Sequence, residues 1–304
     1  MTPVLLDAVI VGAGPAGLSA ALILGRCRRA VLICDTGKPR NHVSHAMHGY
    51  LSRDGMPPSE FLATARAELR QYESVEYRHS EVTGATCRPD GCFDVTLATG
   101  DPVRARKLLI ATGVVDHLPE IAGFDDLYGH SVFHCPYCDG WEVRDQPLAI
   151  YGRGARGYGL SLELTTWSRD LVLCSDGPSE LGEAEQGRLS RNGIQLRDER
   201  IARLEGTGGM LEHVVFDSGE RLARRALFFT TGQSQRSDLS MRLGCQISEK
   251  GTVRTGKYET THLGGLYVAG DASRDVQWVI VAAAEGAEAA FAINSDLTRE
   301  DLVA

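Results

Sequence analysis

Nowhere in this 304-residue chain is there a run of lysine or arginine, and the formal net charge is −8. Nucleic acid and anionic membrane surfaces are therefore poor matches as partners. The opening segment, Met1 to Asp7, lacks the basic stretch of a secretory signal. The longest apolar stretch, Ala8 to Gly25, is broken by Gly12, Gly14, Pro15 and Gly17, which argues against a membrane span. Eight cysteines are scattered without extracellular context, so no disulfide framework is expected and the chain reads as soluble and cytoplasmic. Low-complexity tracts, short repeats and long linkers are also missing.

What is present fits an α/β protein of about two domains, with 34 glycines for tight turns. Ala8-Val9-Ile10-Val11 reads as a buried strand, followed by Gly12-Ala13-Gly14-Pro15-Ala16-Gly17 and a helical run from Leu18 to Arg28. A second strand, Ala30 to Cys34, ends at Asp35. This is a βαβ unit with a dinucleotide fingerprint and, about 20 positions on, an acid for a ribose hydroxyl. The glycines let the backbone turn tightly and approach a pyrophosphate, whose charge sits on the helix N-terminus.

A β-rich segment spans 75–113 and ends in Ala111-Thr112-Gly113, small enough to lie against a cofactor. A second βαβ unit follows, from Leu148-Ala149-Ile150-Tyr151 through Gly152-Arg153-Gly154-Ala155-Arg156-Gly157 to Leu171-Val172-Leu173-Cys174. Near the end, a strand closes on Gly270-Asp271, and an apolar helix is expected from about Val276 through Ala292. Its N-terminal dipole would aim at whatever the Gly-Asp turn holds.

Between the two fingerprints lies His134-Cys135-Pro136-Tyr137-Cys138-Asp139-Gly140. A C-x-x-C beside βαβ units reads as a dithiol redox motif, whose sulfurs can meet within one helical turn. A closed zinc site is the rival reading, but it needs two further Cys or His ligands at suitable spacing, and no second C-x-x-C exists. No metal is expected.

Taken in order and spacing, the first fingerprint, Ala111-Thr112-Gly113, Cys135-x-x-Cys138-Asp139-Gly140 and Gly270-Asp271 resemble the low-molecular-weight thioredoxin reductase family over essentially the whole chain. The resemblance implies two Rossmann-like, three-layer nucleotide-binding domains, the second inserted in the first. The FAD domain would comprise 1–115 and 246–304, and the inserted domain 116–245 would carry the redox pair. A homodimer is also implied. Cys138 would face the flavin, Cys135 would attack a partner disulfide, and Asp139 would protonate the departing thiolate. The candidate FAD-binding set is Gly12, Gly14, Pro15, Ala16, Gly17, Asp35, Thr36, Arg40, Asn41, Val82, Ala111, Thr112, Gly113, Gly270, Asp271, Gln277 and Trp278, with Gln277-Trp278 replacing the family's Arg-Gln pair.

The second fingerprint departs from that family. Its G-G-G-x-[ST]-A pattern, acidic pair and 2′-phosphate arginines are replaced here by Gly152-Arg153-Gly154-Ala155-Arg156-Gly157-Tyr158-Gly159 and Cys174-Ser175-Asp176-Gly177. Asp176 would repel a 2′-phosphate. By charge alone NADH suits the site better than NADPH, and the added tyrosine and glycines point to a site without efficient nicotinamide use. Electrons would then come from ferredoxin or a dithiol, to reduce thioredoxin or a similar small disulfide protein. Two alternatives are an oxygen-dependent dithiol oxidase, for which His rather than Asp139 would usually follow the second cysteine, and a redox-sensing flavoprotein.

Lesser features have plainer readings. His42, His45 and His48 are expected in a loop along the cofactor rather than on a metal. Cys87 and Cys92 flank the turn Arg88-Pro89-Asp90-Gly91 and are expected to be reduced. Cys27, Cys34, Cys174 and Cys245 read as small core residues. Tyr151, Tyr158 and Trp278 are candidates either for a flavin cover or for core packing.

Overall fold

The computed structural model describes residues 5–100 and 102–303; Met1, Thr2, Pro3 and Val4, part of the segment read for a leader, lie outside them. The chain opens with β1 (Leu5–Val11), α1 (Pro15–Arg26) and β2 (Val31–Asp35). Proline at the first helical position suits α1, because its missing N–H has no intrahelical partner there. Next come α2 (Pro58–Leu69), β3 (Val75–His79), β4 (Val82–Cys87), β5 (Phe93–Leu97) and β6 (Val103–Ile110). A short strand, β7 (Val114–Asp116), then leads out of the first sheet.

The middle of the chain contains α3 (Phe124–Leu127), β8 (Val132–Phe133), α4 (Pro136–Asp139), β9 (Leu148–Tyr151), α5 (Gly154–Glu163), β10 (Leu171–Cys174), α6 (Glu183–Arg191) and β11 (Gln195–Arg197). Strands β12 (Ile201–Thr207), β13 (Met210–Phe216), β14 (Arg221–Ala223) and β15 (Ala226–Phe229) follow. The chain returns through β16 (Gln233–Gln235), α7 (Leu239–Arg242), β17 (Leu266–Val268) and α8 (Val279–Val303).

Two parallel-strand sheets dominate. The first runs β3-β2-β1-β6-β5-β4 with β17 added on β6; its β4, β5 and β6 pair antiparallel and the rest parallel. The second runs β11-β10-β9-β15-β8 and is parallel throughout. Their near-continuous apolar strands are those of sheets covered on both faces. Side chains alternate faces accordingly. Ile10 and Ile33 pack with α1, α2 and α8, whereas Val9, Val11 and Leu32 pack with Phe93, Val95 and Leu266 on the other side. In the second sheet Leu148 and Ile150 meet α5 and α6, while Ala149 meets the antiparallel β12-β13-β14 sheet. Each unit is thus layered, in agreement with the expected α/β class with two Rossmann-like parts.

The antiparallel pair β7–β16 joins the two sheets, with Asp116 opposite Gln233. The terminal helix differs from expectation. It starts at Val279 rather than near Val276, because Gln277 is folded back onto the main chain at Asp271 and Arg274. It also continues well past Ala292, where Asn294 and Thr298 bond to Arg29. No helix among the described residues is long and apolar enough to cross a membrane.

Candidate active site

A cavity of about 500 Å³ opens at the C-terminal ends of β1, β2 and β6, where parallel strands and the N-terminus of α1 converge. Its wall contains Gly12, Gly14, Pro15, Ala16, Asp35, Thr36, Arg40, Asn41, Val82, Ala111, Thr112, Gly113, Gly270, Asp271, Gln277 and Trp278. Cys138 and Asp139 face the same space. Of the residues expected at the site, only Gly17 and Cys135 are not part of the wall. Gly17 is instead a packing residue: a Cβ there would fall 1.9 Å from the Gly12 carbonyl oxygen.

Local geometry explains why the glycines stand where they do. Gly12 has φ +103°, and a Cβ on it would lie 2.4 Å from the Ala111 oxygen. Around Gly14, by contrast, a Cβ would meet no protein atom within 4 Å, so its bare backbone borders open space. Asp35 caps this corner. Its carboxylate accepts from the N–H groups of Ala13 (3.3 Å) and Gly37 (3.1 Å), from Tyr77 Oη (3.1 Å) and from Arg66 (3.4 Å). Two cavity-wall groups, Thr112 Oγ1 and Arg66 Nε, are buried without a partner among the described residues. A bare-backbone helix entrance, an acid at the end of β2 and unsatisfied polar atoms together fit a dinucleotide cofactor.

Opposite this corner lies the redox turn. Cys135 and Cys138 are disulfide-bonded across α4, with Cα atoms 5.3 Å apart. Pro136 starts the turn, and the N–H groups of Cys138 and Asp139 close onto the Cys135 carbonyl at 3.2 Å. Burial, then the negative charge of Glu142, raise the Asp139 carboxyl to about 7. His134 is pushed down to about 4 by burial and by the nearby Arg40 charge, so the imidazole is neutral. Tyr137, Trp141 and Trp278 are exposed around the turn, and the Tyr137 ring lies 5.5 Å from that of Trp278.

Sequence reasoning missed a buried cluster beneath this turn. Asp116 accepts from Arg40 and from Tyr128 Oη (3.0 Å), and Tyr128 lies 3.5 Å from His134 Nδ1. Burial opposes ionisation of Asp116, yet bonding to Arg40 and the charges around it hold its carboxyl below the ordinary range. Burial pushes the Tyr128 hydroxyl up. These residues are far apart in sequence, and no spacing pattern signals the cluster.

Behind the Gly270-Asp271 turn, Glu285 accepts the Gly270 N–H at 2.8 Å. Burial and the neighbouring Glu259 raise its carboxyl to about 7, and Arg274 bridges the two acids.

The second fingerprint is occupied by its own side chains. Arg153 donates to the Ser175 carbonyl (2.6 Å) and the Asp176 carbonyl, and its guanidinium stands 3.7 Å from the Asp176 carboxylate. Asp176 is further engaged by the Ile201 N–H (2.8 Å) and by Arg200 (3.5 Å). The Asp176 carboxylate thus has donors within the chain, and Arg153 lies against the end of β10.

Other expectations resolve simply. His42, His45 and His48 diverge: His42 contacts the Pro39 carbonyl, His45 pairs with His130, and His48 faces Asp54 and Glu142. Cys87 and Cys92 are free thiols, as are Cys27, Cys34, Cys174 and Cys245; Cys27 is exposed rather than in the core, because it caps the end of α1. Tyr151 and Tyr158 pack within the second unit, leaving Trp278 as the one flavin-cover candidate on the cavity.

Comparison with known proteins agrees with this geometry. Residues 6–286 match the pyridine nucleotide-disulphide oxidoreductase family. The chain is 30% identical to a protein of Arthroderma benhamiae named "Probable thioredoxin reductase", across 88% of this chain and 74% of that one. It is 28% identical to thioredoxin reductase aclD of Aspergillus oryzae, across 99% of both. The solved structure of HlmI superposes with a TM-score of 0.94 at 36% identity, covering 98% of this chain and 94% of that one. A cavity that joins a dinucleotide corner to a redox-active cysteine pair, together with these matches, places the chain in the pyridine nucleotide-disulphide oxidoreductase family as a thioredoxin reductase-like flavin disulfide oxidoreductase.

Proposed function

We propose that the protein is an FAD-dependent thiol–disulfide oxidoreductase that reduces thioredoxin or a similar small disulfide protein without efficient use of NADPH. The observation that carries this reading is the shared cavity: Cys138 borders the space lined by the first fingerprint, whereas Cys135 does not. In this reading 1–115 and 246–304 hold FAD and 116–245 presents the redox pair, although Leu239 and Cys245, at the end of the second range, pack in the core of the first sheet.

When bound, FAD supplies a two-electron carrier beside the disulfide. Gly12, Gly14, Ala16 and the α1 N-terminus would hold its pyrophosphate, Asp35 a ribose, and the Gly270-Asp271 turn with Gln277 and Trp278 the ring end. In the reduced pair, the Cys135 thiolate attacks one sulfur of the partner disulfide and releases the other, which leaves as a thiol by taking a proton from Asp139. Cys138 then attacks Cys135, restoring the Cys135–Cys138 disulfide and freeing the second partner thiol. Two enzyme thiols are oxidised and one partner disulfide is reduced. Asp139 is suited to the proton step because burial keeps its acid form available near neutral pH.

An anaerobic titration followed at the flavin absorbance tests this reading. Prompt bleaching by NADPH would contradict the proposed donor restriction. Slow or absent bleaching by NADPH and NADH, with turnover of thioredoxin from another donor, is the expected result. Bleaching by dithiols with peroxide formed in air would instead reverse the direction and make the enzyme a dithiol oxidase.

A further inference from the structure

Arginine carries five N–H donors, and in Arg40 all five have protein acceptors. Nε donates to Asp116 Oδ2 at 2.8 Å. Nη1 donates to Asp271 Oδ2 (2.9 Å) and to Gln277 Oε1 (2.6 Å). Nη2 donates to Asp116 Oδ1 and to Gln233 Oε1 (3.2 Å). Arg40 borders the cavity, yet it has no N–H left for a phosphate or a ring inside it. Its side chain is 14% exposed, and it forms ion pairs with two carboxylates.

The positions of those acceptors give the arrangement its meaning. Asp116 and Gln233 are directly opposed on β7 and β16, the strands by which the chain leaves the first sheet and returns to it. Asp271 and Gln277 belong to the cavity wall on the first sheet's side. One guanidinium therefore ties both connecting strands, at the same level, to the wall of the cavity. From Asp116 the contacts continue through Tyr128 (3.0 Å) to His134 (3.5 Å), the residue before Cys135.

We propose that Arg40 is a positioning residue, a pin that fixes the β7–β16 ribbon and with it the orientation in which Cys138 borders the cavity. Each strand of the ribbon is three residues long, too short to be stiff unaided. The remaining contacts from this loop are a poor substitute. His45 meets His130 imidazole to imidazole and His48 stands 3.5 Å from Glu142, both near solvent, where such contacts hold weakly. A buried, fully bonded fork on two carboxylates is costly to break from one side. The catalytic consequence rests on the proposed electron exchange through Cys138; the pin itself does not.

The test uses the flavin-loaded full chain with Asp116→Asn, Arg40→Lys and Tyr128→Phe. Hydrogen–deuterium exchange is read over 114–116 and 233–235. Two rates are then measured with dithiothreitol: opening of the Cys135–Cys138 disulfide, by quenched alkylation and mass spectrometry, and bleaching of the flavin. In Asp116→Asn the ribbon is expected to exchange about tenfold faster. Its disulfide should open at the wild-type rate while bleaching slows by about 10²-fold. Arg40→Lys keeps the charge but not the fork, so it should behave like Asp116→Asn rather than like wild type. Tyr128→Phe leaves the ion pair intact and should raise ribbon exchange about fivefold. Should Asp116→Asn and Arg40→Lys fail to fold, Gln233→Leu, which removes one of the five acceptors and spares both carboxylates, takes their place, and wild-type ribbon exchange in it overturns the pin. If they fold, wild-type exchange and bleaching in both overturn it, and so does faster exchange with bleaching unchanged. A wild-type flavin that no dithiol bleaches refutes the electron-transfer reading, and the exchange data then decide the pin alone.

Discussion

Asp139 and Glu142 share one turn beside the redox pair, and the charge of Glu142 adds to burial in lifting the Asp139 carboxyl to about 7. The group therefore holds its proton below that pH and loses it above. Turnover of a disulfide substrate should fall as pH rises through about 7, and Asp139→Asn should lower it by about 10²-fold and flatten the profile there. Stability follows the same sign. Between the ordinary carboxyl range, about 4, and about 7 the folded chain binds more protons than the unfolded one, so stability declines with rising pH across that window. Denaturant midpoints of wild type and Asp139→Asn, compared at pH 5 and pH 8, check this; parallel values would remove the assigned proton.

The two cysteines should be inseparable in turnover but distinct in structure. Each single serine substitution is expected to reduce disulfide reductase activity by at least about 10³-fold, because the pair acts as a unit. Both variants should keep normal flavin content. The flavin spectra should differ between the two, since Cys135→Ser frees the Cys138 thiol on the cavity wall whereas Cys138→Ser leaves a hydroxyl there. Identical spectra in the two variants would contradict the assigned order.

Arg153 and Asp176 predict what calorimetry will find in the second unit. Neither NADPH nor NADH should bind to wild-type protein with a dissociation constant below about 1 mM, which corresponds to about 4 kcal/mol of affinity. Removing the internal occupant by Arg153→Ala should not create NADPH binding, since the Asp176 carboxylate remains. Micromolar binding to wild type would show that Arg153 swings aside.

Gly12 and Gly14 separate folding from cofactor binding. Gly12→Ala combines a disfavoured φ with a clash against Ala111, at about 2–3 kcal/mol or more, and should lower both the melting temperature and the flavin content. Gly14→Ala meets no protein atom, so its apoprotein should melt normally while the flavin:protein absorbance ratio drops. Full flavin content in Gly14→Ala would argue that the cofactor does not approach this backbone.

Much of the site was legible because its chemistry demands local spacing. The first fingerprint, the C-x-x-C-D turn and Gly270-Asp271 each lie within a few residues, and the fold brings all three to one cavity. The antiparallel β12-β13-β14 sheet was not legible. Its short strands alternate charged residues such as Arg203, Glu205 and Arg221 with apolar ones, and they take their partners from one another rather than from a βαβ pattern. Arg40 shows a different limit. Proximity to the cofactor loop was readable, but its five bonds reach residues 76 to 237 positions away, and only the fold reveals that they exhaust its donors.

The two glycine crossings carry a wider lesson. A Cβ at Gly157 would fall 2.6 Å from the Gly152 carbonyl, and the same tight approach joins Gly17 to Gly12. In both units the helix touches the preceding strand through bare backbone, whether or not the strand end can accept a nucleotide. Loss of a ligand thus removes no steric demand for these residues. A dinucleotide-like signature is demanded by the crossing itself, apart from the binding that it is usually taken to announce.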